Sequence, residues 1–119
     1  MSAPSLRLVH PRSGRVLAER LRVPRTSFGR GLGLMFRREL TAGEGMWIKP
    51  CTGIHMFFMR FAIDAVFLDR RLRVVRVRPG LRPWRVVPLV WHAHSVVELP
   101  DGTVAGLGLG RGEQLSIEP

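Results

Sequence analysis

The sequence predicts a mostly-β fold: a single compact antiparallel β-barrel-like domain over residues 1–119, with one or two short helical insertions. Three observations carry that expectation. Turn-forming residues recur about every ten positions, and the segments between them are short and apolar. One of these segments, FAIDAVFLD at 61–69, alternates with the period of a strand. The length of 119 residues is close to the commonest size of one domain.

The elements follow in order. Residues 6–9 and 15–23 read as an opening hairpin around the turn HPRSG. In TSFGRGLGLMFRRELTAGEG, Thr26 or Ser27 can cap a helical turn, which Gly29, Gly31 and Gly33 keep short. MWIKP (46–50) reads as a strand stopped by Pro50, and IHMFFM (54–59) as another. Within 61–69, Phe61, Ile63, Ala65 and Phe67 share one face, and Ala62, Asp64, Val66 and Leu68 share the other. Both faces are apolar except for Asp64, so this strand is expected to be central and covered on both sides. A carboxylate in that position must be paired or hydrogen-bonded, or it takes up a proton.

The next segment, RRLRVVRVRPG, places arginines at 71 and 73 and then at 76 and 78, so their parity switches between Val74 and Val75. One face of a regular strand cannot hold all four, which predicts a β-bulge at that point. Residues 84–88 and 94–99 read as further strands. TVAGLGLGRGEQLSI reads as a short helix broken by glycine, followed by a closing strand at 114–117. The total is about eight strands.

The charge balance stands apart from this ordinary globular composition. Nineteen basic residues against nine acidic ones give +10, and Lys49 is the one lysine. Scarcity of amide side chains (no asparagine, and Gln114 as the one glutamine) fits a composition adapted to heat. A basic surface for nucleic acid or another anionic partner accounts for the arginines equally well. No apolar run reaches the ~18 residues that a membrane span needs, and the first residues lack the apolar stretch of a secretion signal. The expectation is a cytoplasmic protein with no membrane partner. Cys51 is the single cysteine, so no internal disulfide is possible.

Several segments together resemble the domain-of-unknown-function 192 family. They are GLMFRREL (33–40), GEGM (43–46), GIHMFFMRFAIDAVFLD (53–69), VVRVRPGLRPWRVVP (74–88) and VVELPDGTVAGLGLGRGE (96–113). The resemblance implies a compact, mostly antiparallel β-barrel-like domain and carries no established reaction. Many members have a segment like WMKNTLIPLD where this chain has HMFFMRFAID. His55 stands for the tryptophan and Ala62 for the proline, while the aspartate persists as Asp64. The chain looks like the cytoplasmic, MRFPID-type branch of the family. A turn similar to Asp-x-Asp-Gly appears as DRRL, which puts Leu72 where glycine would take positive φ at no steric cost.

Four groups of residues are candidates for function. Arg37, Arg60, Asp64 and Glu98 can form a buried ion cluster, which fixes strand register on a structural reading. On a functional reading these residues and His55 line a pocket in which an arginine grips an anionic or polar ligand, with Cys51 near the rim. A third use is catalytic, with Asp64 working with Glu98 or His55 as acid and base in a hydrolase-type reaction. Cys51, His55, His92 and His94 are candidate zinc ligands, although their spacing matches no standard zinc signature and no metal is expected.

The arginine-rich hairpin supplies the alternative function. Arg73, Arg76, Arg78, Arg82 and Arg85 surround Trp84, a composition suited to single-stranded nucleic acid or another anionic partner. A solvated hairpin whose arginine stems cover apolar surface reads the same way in sequence. GRGLGLMFR and GLGLGRG lack the strand-to-helix context of a nucleotide loop, so no cofactor is expected. The leading expectation is a small binding or accessory module with a polar pocket.

Overall fold

The computed structural model describes residues 6–23, 39–57 and 59–119. Nine strands are present among them: β1 (Leu6–His10), β2 (Arg15–Arg22), β3 (Glu44–Ile48), β4 (Ile54–His55), β5 (Ile63–Leu68), β6 (Val74–Leu81), β7 (Val86–Val87), β8 (Ser95–Pro100) and β9 (Ser116–Glu118). Seven of them form one curled sheet in the order β6-β5-β8-β3-β2-β1-β9, and β4 and β7 form a separate two-stranded ribbon. The sheet is a half-barrel: β6 and β9 are its edge strands, linked through an isolated bridge between Arg73 and Gln114 just before each of them.

The alternating segment behaves as its pattern requires. Every residue of β5 is buried, and the strand lies between β6 and β8. Ile63, Ala65 and Phe67 enter one core, with Ile48, Met56, Val87 and Val96. Val66 and Leu68 enter a second core on the opposite face, with Leu8, Leu17, Leu21, Val97 and Leu99. Burying both faces of one strand removes roughly 2 kcal/mol worth of apolar surface from water per large side chain, which is why the sheet centres on it.

Two register shifts interrupt the β5–β6 ladder. In the first, Phe67 faces Arg76 while Leu68 faces Val74, so β6 carries an extra residue at the bulge that the arginine parity predicts. In the second, Ala65 faces Arg78 while Ile63 faces Leu81, which places an extra residue near Pro79 and Gly80. The DRRL turn also forms as expected. Leu72 has φ of 63°, its N–H donates to the Asp69 carbonyl, and the Asp69 N–H donates to the Arg73 carbonyl.

Two expectations are corrected. The half-barrel sheet is not wholly antiparallel, because β2 and β3 pair in parallel. No helix forms at 101–108. Gly102, Gly106 and Gly108 all take positive φ there, so the chain makes successive turns, as a segment with glycine at such close spacing does. The helical turn expected near Thr26 and Ser27 lies outside the described residues. Among the described residues no helix is long and apolar enough to cross a membrane.

Candidate functional site

Asp64 is fully buried, and its partners are backbone donors. The Gly80 N–H donates to Oδ1 at 2.9 Å and the Val104 N–H donates to Oδ2 at 2.9 Å. Gly80 sits at the second bulge of β6, where the ladder to β5 is interrupted, and Val104 lies in the turns after β8. The carboxylate therefore supplies the acceptors that two irregular segments lack.

Glu98 occupies the other face. In the β5–β8 ladder Asp64 pairs with Leu99 and Ala65 pairs with Glu98. Residues directly opposite in a ladder point the same way and successive residues point oppositely, so Asp64 and Glu98 leave the sheet on opposite sides. The sheet does not assemble them into an acid–base pair. Glu98 stands in a row across four strands, with Ala65 on one side followed by Arg78, and Met46 on the other. Burial pushes its carboxyl up from an ordinary 4.5 to about 7. Arg78 is two strand spacings away, about 10 Å, too far to offset that desolvation.

The remaining members of the expected pocket are dispersed. Arg37 lies outside the described residues. His55 and Arg60 are exposed, and the His55 ring accepts the Phe57 N–H at 3.3 Å through Nδ1. Among the described residues no group of three or more His, Cys, Asp or Glu side chains is placed to hold a metal. Of the four candidate zinc ligands, Cys51 and His94 are neighbours through backbone, with the Cys51 N–H donating to the His94 carbonyl at 2.7 Å. The Cys51 thiol lies 2.9 Å from the Gly53 carbonyl.

A different site emerges at one end of the sheet. An open groove of about 670 Å³ is lined by the β5–β6 turn (Asp69, Arg70, Arg71, Arg73), by His92 and His94 before β8, and by Arg111. That volume is in the range of small-molecule sites. Four guanidinium groups from two chain segments thus share the groove with one carboxylate, and the carboxylate is engaged: Asp69 Oδ1 accepts the N–H groups of Arg71 and Arg73 at 2.8 and 3.0 Å. Among the described residues none of the four arginines makes an ion pair; the pairs formed are Arg7–Glu118 and Arg12–Glu113, and the His10 ring lies 3.5 Å from Glu113. Leu72, within the lining turn, and His92 are two of the three non-glycine residues with positive φ among those described. Backbone held in sparsely populated regions is concentrated at sites that must present side chains in a fixed way.

Sequence reasoning singled out Arg73, His92 and His94 separately and missed Arg70, Arg71 and Arg111. The available signal was arginine within turn sequences, DRR and GRG, far apart in the chain.

The arginine-rich hairpin is laid out along a sheet edge. Arg76 and Arg78 face Phe67 and Ala65 and so share one face of β6. Arg82, Trp84 and Arg85 follow in the connection to β7, all exposed.

Known proteins place the chain. A sequence model of the domain-of-unknown-function 192 family, described as uncharacterized, matches residues 9–117. A UPF0127 protein of Thermococcus sibiricus is 31% identical over 116 residues, covering 93% of this chain and 74% of that protein. The UPF0127 protein PH1112 of Pyrococcus horikoshii is 37% identical over 87 residues, covering 69% and 73%. The fold matches the crystal structure of a protein of unknown function from Novosphingobium aromaticivorans with TM-score 0.78 and 27% identity, over 94% of this chain and 83% of that one. A solved structure from Sinorhizobium meliloti has the same fold, with TM-score 0.78 at 22% identity over 98% and 97%. The chain belongs to the domain-of-unknown-function 192 family.

Proposed function

We propose that the protein is a binding module for a small anionic ligand, seated in the groove between the β5–β6 turn, His92 and His94, and Arg111. One observation carries the reading: four arginines line a single groove without an ion-pair partner among the described residues. Like charges gathered in one place repel each other unless an anion offsets them, and a guanidinium fork matches a carboxylate or phosphate bidentately. The reading is one of binding rather than turnover, because Asp64 and Glu98 sit on opposite faces of the sheet and cannot share a substrate.

The test is a thermal-melt panel at low salt with pyrophosphate, nucleoside phosphates and di- and tricarboxylates. A ligand that binds the native state alone raises the melting temperature. The expected result is a rise of several degrees with at least one anion, abolished in the Arg71→Ala/Arg111→Ala double variant. A melting temperature indifferent to the whole panel would end the proposal.

A further inference from the structure

We propose a second binding surface, for single-stranded nucleic acid, on the exposed aromatic row His55–Phe57–Trp84 and the arginines beside it. The His55 and Phe57 rings stack with centroids 4.9 Å apart and planes at 28°. Phe57 and Trp84 follow at 5.8 Å and 38°. The row is fixed by backbone: the Trp84 N–H donates to the Met56 carbonyl and the Met56 N–H donates to the Arg85 carbonyl, both at 2.7 Å. The β4–β7 ribbon continues the same arrangement, with His55 facing Val86.

These rings face water rather than the core. Phe57 is 40% and Trp84 59% exposed, although Ile54 and Val87 of the same short ribbon pack into one core. A contiguous exposed aromatic cluster held by ordered backbone marks a contact surface. Its surroundings select the occupant. Arg82 and Arg85 flank Trp84 in the chain and are exposed, and among the described residues neither is in an ion pair. An apolar protein partner would gain nothing from that uncompensated charge, and a second copy of this +10 chain would repel it. An unpaired strand satisfies both features at once, with bases stacking on the rings and phosphates meeting guanidiniums. Groove residues take no part in this surface, so the inference does not rest on the groove.

The experiment is fluorescence anisotropy with a labelled oligothymidylate of about twelve residues and an abasic strand of the same length, at about 50 and 200 mM salt. The oligothymidylate is expected to bind at least tenfold more tightly than the abasic strand. Trp84→Leu and Phe57→Leu should each weaken it about tenfold, within the range of one lost base-stacking contact. Arg82→Ala/Arg85→Ala should flatten the dependence of log affinity on log salt by about 1.4, the share of two phosphates on a single strand. Phe57→Leu stands as the ring variant if Trp84→Leu fails to fold, since Trp84 has φ of 67°. Equal affinity for the abasic strand, or ring variants that bind like the parent, would overturn the proposal. So would a dimer in sedimentation that excludes the strand. Arg71→Ala/Arg111→Ala, which disables the groove, should leave this affinity nearly unchanged, so the two sites fail or succeed separately.

Discussion

Asp64 accepts the Gly80 N–H at 2.9 Å, at the point where β6 carries its second extra residue and cannot pair regularly with β5. The other carboxylate oxygen does the same for Val104, so one side chain joins the end of β6 to the turns after β8. Among the described residues the carboxylate is held by backbone N–H groups, with no guanidinium bonded to it.

Replacing Asp64 therefore tests a structural role. Asp64→Ala leaves two buried N–H groups without an acceptor and should cost about 4 kcal/mol. Asp64→Asn keeps one acceptor but turns an amide donor toward the other N–H, and should cost about 2–3 kcal/mol. Urea denaturation measures both. A denaturation midpoint near that of the parent would mean the carboxylate does not hold these segments.

Glu98 makes stability depend on pH. Its folded value, about 7, lies above its ordinary 4.5 because burial disfavours the charged form. The contribution is full below about 4.5, falls as pH rises, and is gone above about 7, for a total of about 3 kcal/mol. Glu98→Gln removes the titration. The difference in unfolding free energy between E98Q and the parent should shift by about 3 kcal/mol in favour of the variant between pH 4.5 and pH 8. A pH-independent difference would mean that Glu98 titrates normally.

Gly53 lies where no side chain fits. A Cβ there would penetrate the Pro88 carbonyl oxygen and lie 2.6 Å from that of Val87, both backbone atoms that cannot swing aside. Gly53→Ala should cost at least about 2 kcal/mol and should open the β4–β7 ribbon first. Near-native amide shifts throughout Ile54, His55, Val86 and Val87 in a heteronuclear NMR spectrum would contradict that.

Asp69 links the turn to the groove. Its side chain accepts the N–H groups of Arg71 and Arg73, which sets the directions in which Arg70, Arg71 and Arg73 leave the turn. Asp69→Ala should cost about 1 kcal/mol in stability, since the turn is exposed. If the groove binds an anion, the variant should weaken affinity by more than that, despite removing a negative charge, because the arginine fan is no longer held. Tighter binding would show that charge alone governs the site.

Much of the fold was legible because it depends on local rules. Alternation placed β5, arginine parity located the bulge at Val74 and Val75, and the DRRL turn required positive φ at Leu72. The rest depends on pairings that no local pattern contains. The need of Asp64 for donors could be read from its apolar surroundings, but a backbone N–H and a guanidinium answer that need equally well. The opposition of Asp64 and Glu98 follows from the β5–β8 register alone. The groove joins Arg71 to Arg111, forty positions apart, and only the closure of the loop after β8 brings them together. Helix content was overestimated because apolar residues spaced by glycine imitate a helical face at 103–109 while favouring turns.

β3 pairs in parallel with β2 and antiparallel with β8, and so sits between the β1–β2 hairpin and the β5–β6 hairpin. Each hairpin can nucleate from adjacent chain, but the two become one sheet only when both β3 and β8 have docked between them. Folding is therefore expected to be paced by these long-range pairings rather than by either hairpin.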